Sequence, residues 1–275
     1  MKIGVFAKTF SGNDPRTVLT KAAKAGYQSV AYNMVCSGLD SMPSEIPRNV
    51  VQEIKAAVVE VGVEIASISA TYNMIHRSAQ VRKKGLNGLK TLAKLAVQLD
   101  SRLLTLCTGT RCQTNQWQWH KDNNTDEAWS DLLAEMREAI LIAEKYDVYL
   151  GIEPELANVV NSAQKAKRLI DELQTDRIRV ILDPANLFDV VSIEEQHQIL
   201  DDALTLLSPH IAQVHAKDRS FDGSFATVGN GVLDYGHYLN LLELHKYKGD
   251  IVAHGFSESE ASDVYKFLDA RITCL

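Results

Sequence analysis

Hydrophobic positions along the chain fall into two alternating rhythms. Short apolar, β-rich runs end in polar or glycine residues. Each is followed by a longer segment in which apolar residues recur three and four apart, the spacing of a helix that buries one face. The short runs are Ile3 to Phe6, Ser29 to Tyr32, Glu64 to Ser69, Leu103 to Leu106, Tyr149 to Ile152, Val180 to Leu182, Ile211 to Ala216 and Ile251 to Ala253. Strands separated by helices pair in parallel, and eight such strands are the number that closes an α/β barrel, a (β/α)8 TIM barrel.

The helical segments carry their own start signals. Trp129, Leu132, Leu133, Met136, Ile140 and Ala143 share a face after Thr125, a residue able to cap. Leu86, Leu89, Ala93, Ala96 and Leu99 repeat the pattern earlier. Asp14-Pro15 reads as an N-cap followed by proline at the first helical position. Ser192-Ile193-Glu194-Glu195 reads as a capping box, hydroxyl and carboxylate each taking an orphan amide. No linker, low-complexity tract or shift of composition divides the chain, so one barrel domain is expected over residues 1–275. The longest non-periodic stretch, Thr108 to Asn124, holds Arg111, Trp117, Trp119 and His120. Its aromatic content argues against disorder, and its place after the fourth strand puts it over the barrel mouth.

Composition narrows the partners. The 275 residues are 45% hydrophobic and 23% charged, ordinary values for a soluble globular protein with a sizeable core. Lys+Arg 29 against Asp+Glu 35 gives a net charge of −6, with no basic footprint for a phosphate backbone, so nucleic acid is not an expected partner. No apolar stretch approaches the roughly 20 residues that span a bilayer, and Met1 to Lys8 has no extended apolar signal region, which points to the cytoplasm and away from membranes. The four cysteines, Cys36, Cys107, Cys112 and Cys274, show no CxxC spacing and read as reduced. Outer helices of a barrel can pair without any sequence signature, which leaves a homodimer or homotetramer open.

In a TIM barrel the chemistry lies where strands end at the common mouth. The fifth strand runs into Glu153-Pro154-Glu155, the sixth into Asp183-Pro184-Ala185-Asn186, the seventh ends in His215-Ala216 and runs into Lys217-Asp218, and the eighth runs into His254-Gly255. Two carboxylates and two imidazoles on one rim suit a divalent cation that keeps positions open for water or substrate. Taken singly, Glu153 or Asp183 is as well explained as a helix cap, and His215 or His254 as a hydrogen-bonded rim histidine. The metal reading rests on all four arriving at consecutive strand ends. Lys217 and Asp218 are candidates for binding substrate hydroxyls or orienting His215, against a surface ion pair. Arg111 and His120 are candidates for an anionic substrate group, against simply holding their loop. Trp117 and Trp119 are candidates for stacking on a sugar face or for anchoring the loop, anchoring being preferred; His76 reads as a rim contact and a weaker metal candidate, Glu155 as a substrate neighbour, and Asn158 equally well as a turn residue.

At these residues the chain resembles the sugar isomerase/epimerase superfamily with the xylose-isomerase-like barrel, which includes tagatose/psicose 3-epimerases, hydroxypyruvate isomerases and inosose dehydratases and, more distantly, endonuclease IV. The segments that carry the likeness are Gly151 to Glu155, Ile181 to Leu187, Val214 to Asp218 and Gly229 to Tyr235, and it extends over nearly the whole chain. Tyr72 to His76 and Leu106 to Arg111 are similar to a bacterial subgroup known generically as sugar phosphate isomerase/epimerase. The resemblance implies a metal held by Glu153, Asp183 and His215, with a fourth position that is Glu in the epimerases and His254 here. It also implies a substrate contact three residues past the metal Asp, where the family has His and this chain Asn186.

The resemblance implies isomerisation or epimerisation of a sugar, sugar phosphate or related polyhydroxy carbonyl compound through a metal-stabilised enediolate, with Mn²⁺, Mg²⁺, Zn²⁺ or Co²⁺ as cofactor. Two-base epimerisation uses both glutamates, so the loss of the second favours a one-base 1,2-shift with Glu153 as base. His254 is then a fourth ligand or an acid/base, the ligand role being preferred. The alternatives are a ketocyclitol dehydratase and a catalytically silent sugar-binding protein. Endonuclease activity fits neither the acidic charge nor the few candidate ligands.

Overall fold

The computed structural model describes residues 1–274. Seven strands come first: β1 (Lys2–Phe6), β2 (Ser29–Tyr32), β3 (Glu64–Ser69), β4 (Leu103–Cys107), β5 (Tyr149–Glu153), β6 (Ile178–Leu182) and β7 (Ile211–Ala216). A small antiparallel pair follows, β8 (Asp218–Arg219) with β9 (Phe225–Ala226), and then β10 (Asp250–Ala253). The barrel closes in the order β1-β10-β7-β6-β5-β4-β3-β2, every neighbouring pair parallel. All eight expected strands are therefore present, their ends within two residues of the hydrophobic runs.

The helices are α1 (Pro15–Lys24), α2 (Arg48–Val61), α3 (Ala79–Gln98), α4 (Asp126–Tyr146), α5 (Ala163–Leu173), α6 (Ile193–Leu207), α7 (Tyr235–Leu244) and α8 (Ala261–Ile272). Each packs an apolar stripe on the barrel. Leu89, Leu92, Ala93 and Ala96 of α3 and Leu132, Met136, Ala139 and Ala143 of α4 are fully buried. Truncating any one of these leucines to alanine would cost about 2–5 kcal/mol, because the cavity closes only in part.

The caps follow the sequence closely. The Asp14 carboxylate accepts from the Thr17 N–H at 2.8 Å with Pro15 at the first helical position. The Thr125 hydroxyl accepts from the Ala128 N–H at 3.2 Å. At Ser192 the hydroxyl accepts the Glu195 N–H, half of the expected box. Both halves form instead at Ser257 and Glu260 ahead of α8. The β8–β9 hairpin was not anticipated, since two-residue strands are too short to show a period. Among the described residues no helix is long and apolar enough to cross a membrane, and all four cysteines are free.

Candidate metal centre

Four neighbouring strands, β5, β6, β7 and β10, bring their C-terminal ends to one side of the mouth. Glu153 is the last residue of β5, Asp183 follows β6, His215 lies in β7 and His254 follows β10. Asp183 is completely buried, and its two oxygens divide the work. Oδ1 accepts from the Ala185 N–H at 3.0 Å and caps the short turn that Pro184 starts. Oδ2 faces His254 Nε2 at 3.1 Å, His215 Nδ1 at 3.5 Å and Lys217 Nζ at 4.0 Å. The cap and the imidazole-facing position thus coexist in one carboxylate.

Glu153 enters through shared neighbours. Its Oε1 lies 3.5 Å from His215 Nδ1 and accepts from Asn186 Nδ2 at 2.7 Å. The same amide nitrogen donates to Asp183 Oδ2 at 3.3 Å, and Lys217 Nζ donates to Asn186 Oδ1 at 3.0 Å. Asn186 therefore ties both carboxylates to the lysine. The Phe6 ring of β1 completes the wall, 5.4 Å from the His215 ring and 4.7 Å from that of His254.

Charges are strongly coupled here. Burial alone would raise the Asp183 carboxyl, but Lys217 and the two histidines outweigh it and hold the group well below the usual carboxylate range. Burial also works against the His215 imidazolium, yet Glu153 and Asp183 beside it prevail and raise its pKa to about 9. His254 goes the other way, lowered by burial and by its cationic neighbours despite Asp183. Glu155 is pushed up to about 8 by burial and by the charge of Glu153.

One atom tests the fit to a cation. His215 Nδ1 is buried and has no hydrogen-bond partner, although two carboxylate oxygens stand 3.5 Å away. Donors that share one cation at about 2.0–2.2 Å sit about 3–3.5 Å apart, the spacing of His215 Nδ1 from Glu153 Oε1 and Asp183 Oδ2 and of His254 Nε2 from Asp183 Oδ2. Asp183, His215 and His254 offer donor atoms that all lie within 4.8 Å of one another. Glu153 is not in that set and adjoins it at His215, 3.5 Å from Nδ1. The residues fit a divalent ion.

Other candidates from the sequence are placed elsewhere. Asp218, expected to bind hydroxyls or orient His215, is fully buried with both oxygens committed: Oδ1 accepts from the N–H groups of Arg219 and Leu233, Oδ2 from those of Gly229 and Gly231. It organises the loop between β7 and α7. Arg111 lies beneath its loop, donating to Ile75 O at 3.0 Å and to Asp131 Oδ2 at 2.7 Å. Only 3% of it is exposed, so it holds the loop rather than an anion at the mouth. His120 caps a short turn through Nδ1, which accepts the Asp122 N–H. His76 Nδ1 accepts from the Ser78 N–H, and its ring lines a cleft of about 730 Å³ over the β3 and β4 side together with Asn73, Lys84, Cys112 and Trp117. Trp117 and Trp119 are about half exposed.

Three buried asparagines missed or left open in the sequence hold the mouth loops together. Asn73 both accepts from the Thr110 N–H and donates to Thr110 O, Asn123 accepts from the Arg111 N–H, and Asn158 accepts from the Gly109 N–H. For Asn73 and Asn158 the signal is an amide between apolar or aromatic neighbours, Tyr72-Asn73-Met74 and Ala157-Asn158-Val159, whereas Asn123 lies in the polar run Lys121 to Thr125 and gives none. Phe225 is a second omission: its ring centroid lies 3.5 Å from Lys217 Nζ, a contact made through the unanticipated hairpin.

The family model described as the xylose isomerase-like TIM barrel matches residues 19–270. The chain belongs to that family. Its fold is shared with solved structures that are distant in sequence. The 3-keto-D-glucoside 4-epimerase YcjR from E. coli aligns with a TM-score of 0.75 at 16% identity, covering 98% of this chain and 99% of that one. D-allulose 3-epimerase from Methylomonas sp. gives a TM-score of 0.76 at 16% identity, covering 98% of each. The IOLI protein with a binding zinc atom gives 0.75 at 15% identity, covering 100% of this chain and 99% of that one. No curated protein matches the chain in sequence.

Proposed function

We propose that this xylose isomerase-like barrel is a divalent-metal-dependent isomerase or epimerase of a sugar, sugar phosphate or related polyhydroxy carbonyl compound. The observation that carries the reading is the unpartnered His215 Nδ1 between Glu153 and Asp183, with His254 alongside. The likeness in fold to two sugar epimerases and to a zinc-bound protein supports it. Glu153, Asp183, His215 and His254 would hold the ion. Its chemistry there is Lewis acidity, which acidifies a C–H next to a substrate carbonyl and offsets the charge that develops. Two oxygens and two imidazoles accommodate Zn²⁺ or Co²⁺ as well as Mn²⁺ or Mg²⁺.

Glu153 is the base. Its Oε1 is oriented by the Asn186 amide, which fixes the carboxylate for proton removal from one face of the substrate. Lys217, held by Asn186 and facing Phe225, presents a cation toward substrate hydroxyl or carbonyl oxygens. With His254 where the epimerases have a second glutamate, one carboxylate takes and returns the proton, which favours a 1,2-shift over a two-base inversion.

The test is solvent exchange. The Mn²⁺-loaded or Zn²⁺-loaded protein is incubated in D₂O with ketoses, ketose phosphates and keto-inositols, and NMR follows deuterium entering a position next to the carbonyl. Exchange with rearrangement is expected, and it is abolished in Glu153→Gln. Exchange accompanied by loss of water would replace this reading with dehydration, and no exchange over the whole panel would replace it with sugar binding alone.

A further inference from the structure

We propose that Gln213 is a positioning residue that decides which nitrogen of His215 is free to bind a cation. The inference rests on the reading of His215 as a ligand and extends it to a residue that touches neither substrate nor ion. Gln213 and His215 stand two apart on β7, so their side chains leave the same face of the strand. Each is 1% exposed. Gln213 Nε2 lies 3.1 Å from His215 Nε2, and Gln213 Oε1 and His215 Nδ1 are both buried without partners.

A neutral imidazole carries one proton, and the nitrogen that keeps it cannot bind a metal. Nδ1 is the nitrogen that faces Glu153 and Asp183. For Nδ1 to offer its lone pair, the proton must rest on Nε2 and find an acceptor. The side-chain atom in contact there belongs to an amide, which presents either a donor or an acceptor after a half-turn about its last bond. With the amide nitrogen inward, Gln213 donates to Nε2 and leaves the proton on Nδ1, pointing at the carboxylates. With the oxygen inward, it accepts the Nε2–H and releases Nδ1. The oxygen-inward orientation also serves the doubly protonated imidazolium, and it is the one that metal binding at Nδ1 requires.

The experiment uses the full-length chain with ¹⁵N-labelled histidine, titrated with Zn²⁺. In the unaltered protein Zn²⁺ should shift the Nδ1 resonance of His215 while Nε2 keeps its proton; perturbation of Nε2 with Nδ1 protonated would overturn the proposal without any variant. Zn²⁺ affinity is then measured calorimetrically. Gln213→Leu, which offers no acceptor, should bind about 10–100-fold more weakly. Gln213→Glu, which is acceptor-only when ionised and of the same length, should bind at least as tightly as the unaltered chain. Equal weakening in both variants, or no change in either, would refute the acceptor role while leaving His215 a ligand. If His215→Ala binds Zn²⁺ as tightly as the unaltered chain, the ligand reading fails and takes this inference with it.

Discussion

Replacing Asp218 by asparagine separates a structural from a substrate-binding carboxylate. In the native chain Asp218 Oδ1 accepts from Arg219 N at 2.8 Å and Leu233 N at 3.1 Å, and Oδ2 from Gly229 N and Gly231 N at 3.0 Å each. The loop is packed so closely on this carboxylate that a Cβ on Gly231 would fall 2.2 Å from Oδ1. Asparagine keeps the shape but turns one oxygen into an NH₂ that must face two N–H donors. Two hydrogen bonds to a charged acceptor, each contributing about 1.5–3 kcal/mol, are lost. The smaller cost of burying a neutral amide offsets part of this, and about 3 kcal/mol of destabilisation remains. Urea unfolding followed by circular dichroism reads it as a lower midpoint with an unchanged slope. Limited proteolysis should open new cleavage between residues 219 and 234. A change under 1 kcal/mol with no new cleavage would refute this reasoning and return Asp218 to the substrate contacts.

Gly109 has φ +80°, and a Cβ there would lie 2.3 Å from Asn73 Oδ1 and 2.8 Å from Met74 N, so Gly109→Ala should cost about 2–4 kcal/mol in the same urea assay. Glu258 accepts from the Ser11 N–H and hydroxyl and pairs with Lys21, which lowers its pKa from 4.5 to about 2. A lowered folded-state value stabilises fully above pH 4.5 and is lost as the pH falls through about 2. The melting temperature of Glu258→Gln should therefore trail the unaltered chain at pH 7 by a modest margin, as expected for an exposed pair, and the gap should narrow as pH drops below 4.5; a constant gap would contradict the assignment. His254→Ala should lower bound metal in elemental analysis after dialysis, and unchanged content would remove His254 from the ligands.

The barrel was legible because its signals are local. Apolar runs such as Tyr149 to Ile152 and Val180 to Leu182 become strands wherever helices cover both flanks, and the caps at Asp14 and Thr125 are written in adjacent residues. The convergence of Glu153, Asp183, His215 and His254 followed from strand order alone. What each side chain does once there was not local. Asp218 and Lys217 adjoin in sequence, yet one serves four backbone amides and the other faces the centre, a difference set by where the loop from Gly229 to Leu233 returns. Arg111 looked available for an anion because its partner Asp131 lies a helical turn inside α4. Gln213 carried a usable signal, a polar residue two before His215 in an apolar strand.

Glu153, Asp183 and His215 must share one cation for the proposed chemistry to run. Anomalous diffraction at the zinc edge from crystals of the Zn²⁺-loaded protein tests that most directly. A single strong peak is expected at about 2.0–2.2 Å from His215 Nδ1 and from one oxygen of each carboxylate. A peak at another cluster, or none between these three side chains, would contradict it.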